Sequence, residues 1–213
     1  MESTIICISR QYGSGGREIG EAAARLLGIA CYDKCLITRA AQTAGLSVRA
    51  VADCDEKDAE ACFSVSGNPF ADSASLAEAF YSEEAQVFEA ERQVILSLAE
   101  KESCVIIGRC ASAILRSAGY HPLSVFVYAD PADRAKRIAA RCHLDERHAL
   151  HKAQTVDRMR RRYFDFYADT LWGEPESYDL MLSSGEYDMD GAAAVIAAAS
   201  KEREGDRHHV RHC

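Results

Sequence analysis

Residues 4–28 read Thr-Ile-Ile-Cys-Ile-Ser-Arg-Gln-Tyr-Gly-Ser-Gly-Gly-Arg-Glu-Ile-Gly-Glu-Ala-Ala-Ala-Arg-Leu-Leu-Gly. Ile5, Ile6, Cys7 and Ile8 form an apolar run of the length that suits a parallel strand buried on both faces. Gly13, Ser14, Gly15 and Gly16 follow as a glycine loop. Ile19, Ala22, Ala23, Leu26 and Leu27 then recur at helical spacing, and Gly28 is placed to end that helix. Strand, glycine loop and helix in this order make a phosphate cradle. Glycines let backbone N–H groups converge on an anion, and the helix N-terminus adds its dipole. A ligand-free glycine turn has the same local pattern, so the loop is read together with its surroundings.

The loop departs from the Walker motif G-x-x-x-x-G-K-[ST]. Without gaps, Arg10 stands at the first Gly, Gly15 keeps the second, Gly16 stands at the Lys, and Arg17-Glu18 follow where hydroxyl residues are expected. The positive charge for a phosphate must then come from Arg10 or Arg17. Glu18 breaks G-x-G-x-x-G, which disfavours a Rossmann dinucleotide site.

The 213 residues allow one α/β domain with an insertion, and 48% hydrophobic content supports a sizeable core. No apolar run reaches transmembrane length and no signal-peptide pattern opens the chain, so no membrane partner is expected. Nine cysteines fall at irregular spacing, with Cys7 and Cys104 inside apolar runs and no C-x-x-C. Reduced, buried thiols in a cytoplasmic protein are the expectation, with no zinc or other protein-built metal site. A net charge of −8 argues against general nucleic-acid binding. Acid gathers at 53–60 and 83–91, whereas base gathers between Arg134 and Arg162. That basic segment suggests a local anion site, or else a solvated helix face with pairs such as Asp157–Arg161.

Four more strands are expected at 29–32, 105–107, 124–128 and 179–182. Helices are expected at about 33–44, from 46 into the acidic segment, and at 75–101, 111–118, 131–142, 145–170 and 190–203. Residues 64–75, rich in Ser, Gly, Asn and Pro, suggest a loop or subdomain edge. The long helix would bury Leu76, Phe80, Val87, Phe88, Val94, Ile95 and Leu98. Strands alternating with helices imply a parallel sheet covered on both faces, with ligands at the C-terminal strand ends. The glycine loop, Asp33 and Gly108-Arg109 all fall there. The charged tail 204–213, with His208, His209, His212 and Cys213, is expected to be flexible.

From Ile5 to Ile196 the chain resembles the cytidylate kinase-like family of the P-loop nucleoside monophosphate kinase superfamily. The resemblance is carried by Ile-Ser-Arg-Gln-Tyr-Gly-Ser-Gly-Gly-Arg-Glu-Ile-Gly at the start, Val-Ile-Ile-Gly-Arg-Cys-Ala in the middle and Trp-Gly-Glu-Pro-Glu-Ser-Tyr-Asp-Leu late in the chain. It implies an α/β P-loop NTPase three-layer sandwich with a five-stranded parallel sheet of order 2-3-1-4-5. One domain would cover 1–203, with a helical insertion at about 34–101 and a lid at about 143–172. ATP and Mg²⁺ are implied as cofactors, with a nucleotide and a small phosphorylated or hydroxylated acceptor as partners and no oligomeric state assigned.

The same resemblance implies roles for residues. Gly13, Ser14, Gly15, Gly16, Arg17 and Glu18 would bind the nucleotide, without the family's lysine at Gly16 or its hydroxyl near Glu18. Arg39 and Arg109 would hold an acceptor phosphate, with Cys110 in place of the Asp of Gly-Arg-Asp. Asp33 would orient the acceptor or hold Mg²⁺ through water. Arg10, Arg17, Asp33 and Arg160 form the catalytic set, with Arg10 or Arg17 replacing the lysine. Around Asp157, the arginine-rich segment would supply the lid. Arg158, Arg161 and Arg162 share one helix face and Arg160 another, and the sequence leaves open which face turns inward. The reading is a cytidylate kinase-like phosphotransferase moving the ATP γ-phosphate to a nucleoside monophosphate or other small acceptor. A nucleotide-binding or sensing protein without transfer is the alternative that the missing lysine raises. A small-molecule kinase of the shikimate or dephospho-coenzyme A type on the same fold is a third.

Overall fold

The computed structural model of the chain describes residues 3–43 and 73–210, with side chains over 3–41 and 85–203. Five strands form one parallel sheet of order β2-β3-β1-β4-β5, as the resemblance implied. They are β1 (Ile5–Arg10), β2 (Ala30–Tyr32), β3 (Cys104–Ile107), β4 (Leu123–Tyr128) and β5 (Leu180–Ser183). The central strand β1 pairs Ile6 with Val105 on one side and Leu123 on the other. Its residues alternate between faces, so both faces are apolar and both must be covered.

Helices α1 (Gly16–Leu27) and α7 (Met189–Val210) cover one face, where Ile6, Ile8, Val105 and Val125 pack with Ile19 and Ile196. The other face buries Ile5, Cys7, Ile106 and Phe126 against α3 (Ser73–Lys101), α4 (Ala111–Ser117) and the end of α6 (Glu146–Tyr167), through Ile95, Leu115 and Phe164. Between β2 and β3 the chain enters α2 (Lys34–Thr43) and returns along α3. Helix α5 (Pro131–Cys142) starts with Asp130, whose carboxylate accepts the Ala132 N–H, and with Pro131 in its first turn. Together α5 and α6 enclose a third apolar cluster of Ala135, Ile138, Ala149, Ala153, Val156 and one outsider, Tyr12.

The strands lie within a residue or two of their expected places. Helix α3 begins at Ser73, inside the stretch read as a loop, and α7 continues to Val210, past the expected end at 203. The helix expected from 46, the acidic segment 53–60, most of 64–75 and residues 211–213 lie outside the described residues, as do the side chains of Leu76, Phe80, His208 and His209. Of the predicted stripe on α3, Ile95 is fully buried while Val87, Phe88, Val94 and Leu98 are half-buried. Between them sits a charged residue, Glu91, with no exposed surface.

Candidate functional site: the glycine loop and its arginines

Gly13 and Gly15 both take φ of +79°, a conformation that a side chain would strain. A Cβ on Gly15 would also run into the Met189 thioether. Gly15 caps α1 with no side-chain hydrogen bond to the first turn. Among the described residues, the N–H groups of Gly13 and of Gly15 to Glu18 have no protein acceptor.

The loop carbonyls are occupied. Gly13 O accepts from Arg137 Nη1 at 3.4 Å and Ser14 O from Ser184 Oγ at 2.5 Å. Gln11 O accepts from the Ser14 hydroxyl at 2.8 Å. Arg137 also reaches the Ser184 hydroxyl at 3.1 Å and its carbonyl at 3.2 Å. With carbonyls bound and amides open, the loop presents a net positive concavity at a helix N-terminus, which is what an anion requires.

The place of the Walker lysine is closed. A Cβ on Gly16 would lie 2.6 Å from Arg10 Cβ and 3.3 Å from Val127 Cβ. Arg10 instead leaves the end of β1, passes Gly16 and lays its guanidinium on Gly108, beyond the end of β3. Arg17 turns the other way. It pairs with Asp33 at 2.9 Å and with Glu21 at 3.0 Å and is largely exposed. The Glu21 hydrogen bond and the Asp33 charge hold its pKa above the usual arginine value. Asp33 is buried, and its other oxygen accepts the Leu36 N–H at 3.0 Å in the first turn of α2.

Arg160 settles the two-faced arginine segment geometrically. Its Nη1 donates to Arg10 O at 2.8 Å, and its guanidinium lies 5.6 Å from the centre of the Tyr12 ring. Arg141 stands over the same ring at 5.0 Å. Burial pushes the Tyr12 phenol up to about 12, against the pull of Arg141. Arg158 instead donates to Thr155 Oγ1, Arg161 lies over Trp172, and Arg162 is exposed; none of the three meets the loop.

On the far side of Arg10, Gly108, Arg109 and Cys110 have successive φ of +82°, +57° and +53°. Two non-glycine residues in this region store strain, as functional corners do. Arg109 gives Nε and Nη2 to Glu91 Oε2 at 2.8 and 2.5 Å and stacks 4.8 Å from the Tyr163 ring. Glu91 also accepts from the Thr38 hydroxyl at 3.0 Å and from Tyr163 OH at 3.3 Å. Burial opposes the charge on Arg109, but Tyr163 and Glu91 outweigh it and its pKa rises. Burial pushes the Cys110 thiol up to about 12. Arg39 is exposed on α2 beside Thr38.

The structure thus gathers Arg10, Gly13, Ser14, Gly15, Gly16 and Arg160 at the loop, with Asp33 and Arg17 paired on one flank and Arg109 beyond Gly108. It adds residues that the sequence reading passed over: Tyr12, Glu91, Arg137, Arg141 and Ser184. Arg134, Arg137 and Arg141 stand at i, i+3 and i+7, one face of α5, and that spacing was available in the basic segment. Glu91 lies four residues from both Val87 and Ile95, an acid inside an apolar stripe. Nothing in the sequence marks Ser184.

A model of the cytidylate kinase-like family matches residues 5–186. Over 106 residues the chain is 32% identical to a cytidylate kinase of Archaeoglobus fulgidus, and the match covers 48% of this chain and 56% of that protein. The chain thus spans little more than half the length of this curated relative. An uncharacterized protein from Eubacterium ventriosum has a solved structure that aligns at a TM-score of 0.69 and 26% identity, over 93% of this chain and 99% of that one. Shikimate kinase from Bacteroides thetaiotaomicron aligns at 0.52 and 14% identity, over 93% and 98% of the two chains. Shikimate kinase from Acinetobacter baumannii, in complex with shikimate, aligns at 0.53 and 13%, over 94% of each. At those identities the two shikimate kinases show a shared fold.

Proposed function

The chain belongs to the cytidylate kinase-like family, and we propose that it is a phosphotransferase moving the γ-phosphate of ATP to a small acceptor, a nucleoside monophosphate or another hydroxylated or phosphorylated molecule. One observation carries this reading: the loop's amides are open while its carbonyls are bound, beside the Arg10 and Arg160 guanidiniums. Phosphoryl transfer asks a protein mainly for positioning and for charge to meet the phosphates. The amides of Gly13 and of residues 15–18 supply the first for the β- and γ-phosphates. Arg10 supplies the second. Its side chain fills the space that a residue-16 lysine would need and spans from the loop to Gly108. Arg109, its guanidinium fixed by Glu91, marks the acceptor side.

No group of three His, Cys, Asp or Glu side chains that could hold a metal ion occurs among the described residues. Mg²⁺ would be carried by the phosphates and water, and Asp33 is the carboxylate that would hold it through water. When bound there, it neutralises phosphate charge. Asp33 is held ready by the Leu36 N–H and an exposed arginine partner.

The test is calorimetric titration with ATP and with a panel of nucleoside monophosphates and hydroxylated acids, Mg²⁺ present, followed by a transfer assay on whatever binds. Transfer is expected in the wild type. Arg10→Ala should slow it by roughly 10²–10³-fold, the scale of losing one preorganised charge stabiliser, whereas Arg17→Ala should leave it within a few-fold. Binding of both substrates without transfer would make the protein a nucleotide binder. Equal transfer by Arg10→Ala would remove Arg10 from the mechanism and leave the kinase reading standing.

A further inference from the structure

Four backbone groups between Arg10 and Gly13, at the entry to the glycine loop, are gripped from one side. Helix α6 supplies Arg160, donating to Arg10 O at 2.8 Å, and three residues earlier Asp157, whose Oδ1 accepts the Tyr12 N–H at 2.7 Å. Helix α5 supplies Arg134, whose Nε donates to Tyr12 O at 2.8 Å, and three residues later Arg137, donating to Gly13 O. Arg134 Nη2 pairs with Asp157 Oδ2, which closes a ring through both polar groups of residue 12. The pair is nearly dry, with side chains 8% and 15% exposed. Tyr12 itself is 1% exposed, and its ring sits in the apolar cluster between α5 and α6.

We propose that Arg134 and Asp157 are positioning residues for the donor nucleotide: by fixing the peptide groups on either side of Tyr12 they set the orientation of the Gly13–Glu18 amides. This rests on the reading of the loop as the ATP phosphate site. Asp157 is then bound to the loop's own backbone and is not a ligand of either substrate. Within the loop Ser14 turns back to Gln11 O, but Gly13 and Gly15 on either side of it are the least restrained residues a chain can carry. An amide nest binds an anion only while its N–H groups stay convergent, so an external clamp on the residue before the first glycine acts on affinity. The α5–α6 pair is on this account a fixed wall of the donor site.

The variants are Asp157→Asn, which keeps an oxygen for Tyr12 N–H but loses the charge facing Arg134, Asp157→Ala, which loses both, and Arg134→Lys, which keeps a charge but not the fork to Tyr12 O. Asp179→Asn is the control. Asp179 joins Arg116, Arg203 and the Ser124 N–H in a network at the start of β4 and β5, the opposite sheet end from the loop. The readout is the Kd for MgATP by calorimetry, per mole of folded protein, with thermal unfolding in parallel. Affinity should fall in the order Asn, then Ala, by roughly tenfold or more at Ala, with Arg134→Lys also weakened. Asp179→Asn should lose thermal stability and keep wild-type affinity. Wild-type affinity in folded Asp157→Ala overturns the clamp and leaves the function standing, whereas no MgATP binding by the wild type overturns the functional reading first. Failure of all three variants to fold also overturns the proposal, since the pair would then serve the whole domain and not the loop.

Discussion

At Gly16 the absent side chain has a steric cause that composition cannot reveal. A Cβ there meets Arg10 Cβ at 2.6 Å, and that atom is fixed to the backbone of β1. Restoring a Walker lysine by Gly16→Lys should therefore cost about 1–3 kcal/mol of stability through overpacking and weaken ATP binding. Adding Arg10→Ala should not relieve it, because alanine keeps the offending Cβ; adding Arg10→Gly should recover most of the loss. Urea denaturation and ATP titration of the three variants check this order. The sequence announced a missing lysine and two candidate arginines, but not the directions that their side chains take. Arg17 is drawn to Asp33 and Glu21 on its own flank, whereas Arg10 is held over Gly108.

Among the elements, the strands and most helices were legible because buried parallel strands and capped amphipathic helices write themselves as apolar runs, periodicity and glycine stops. Gly28 ends α1 in the left-handed conformation expected of it. What was not legible is how distant elements meet. The resemblance implied that Arg109 holds an acceptor phosphate; in the structure it is one arm of a network joining β3–α4, α2, α3 and α6 through Glu91, Thr38 and Tyr163. Glu91 ends the acidic stretch 83–91, and its sequence position does not show that it is buried. Removing it strands a buried guanidinium, so Glu91→Ala should cost about 3–5 kcal/mol, measured as a fall in the urea midpoint. Glu91→Gln, which retains an acceptor for Arg109 and Thr38, should cost less.

Across the whole molecule, the glycine loop lies at the C-terminal edge of the sheet, where β1, β3 and β4 deliver their loops side by side. A donor that fills the amide nest binds only the folded chain. ATP at a hundred times its Kd should then stabilise by about 2.7 kcal/mol, which for a chain of this size raises Tm by roughly 5–10 °C. Adenosine, lacking phosphates, should give far less in the same thermal-shift assay. No helix among the described residues is long and apolar enough to cross a membrane. The absence of a lysine at position 16 reaches into chemical labelling as well. The first lysine in the chain is Lys34, so the loop carries no amine at all. ATP-shaped acylating reagents, which mark kinases by capturing an amine beside the terminal phosphates, have no such nucleophile in this loop. A dicarbonyl that condenses with guanidines is the reagent whose chemistry matches what Arg10 offers.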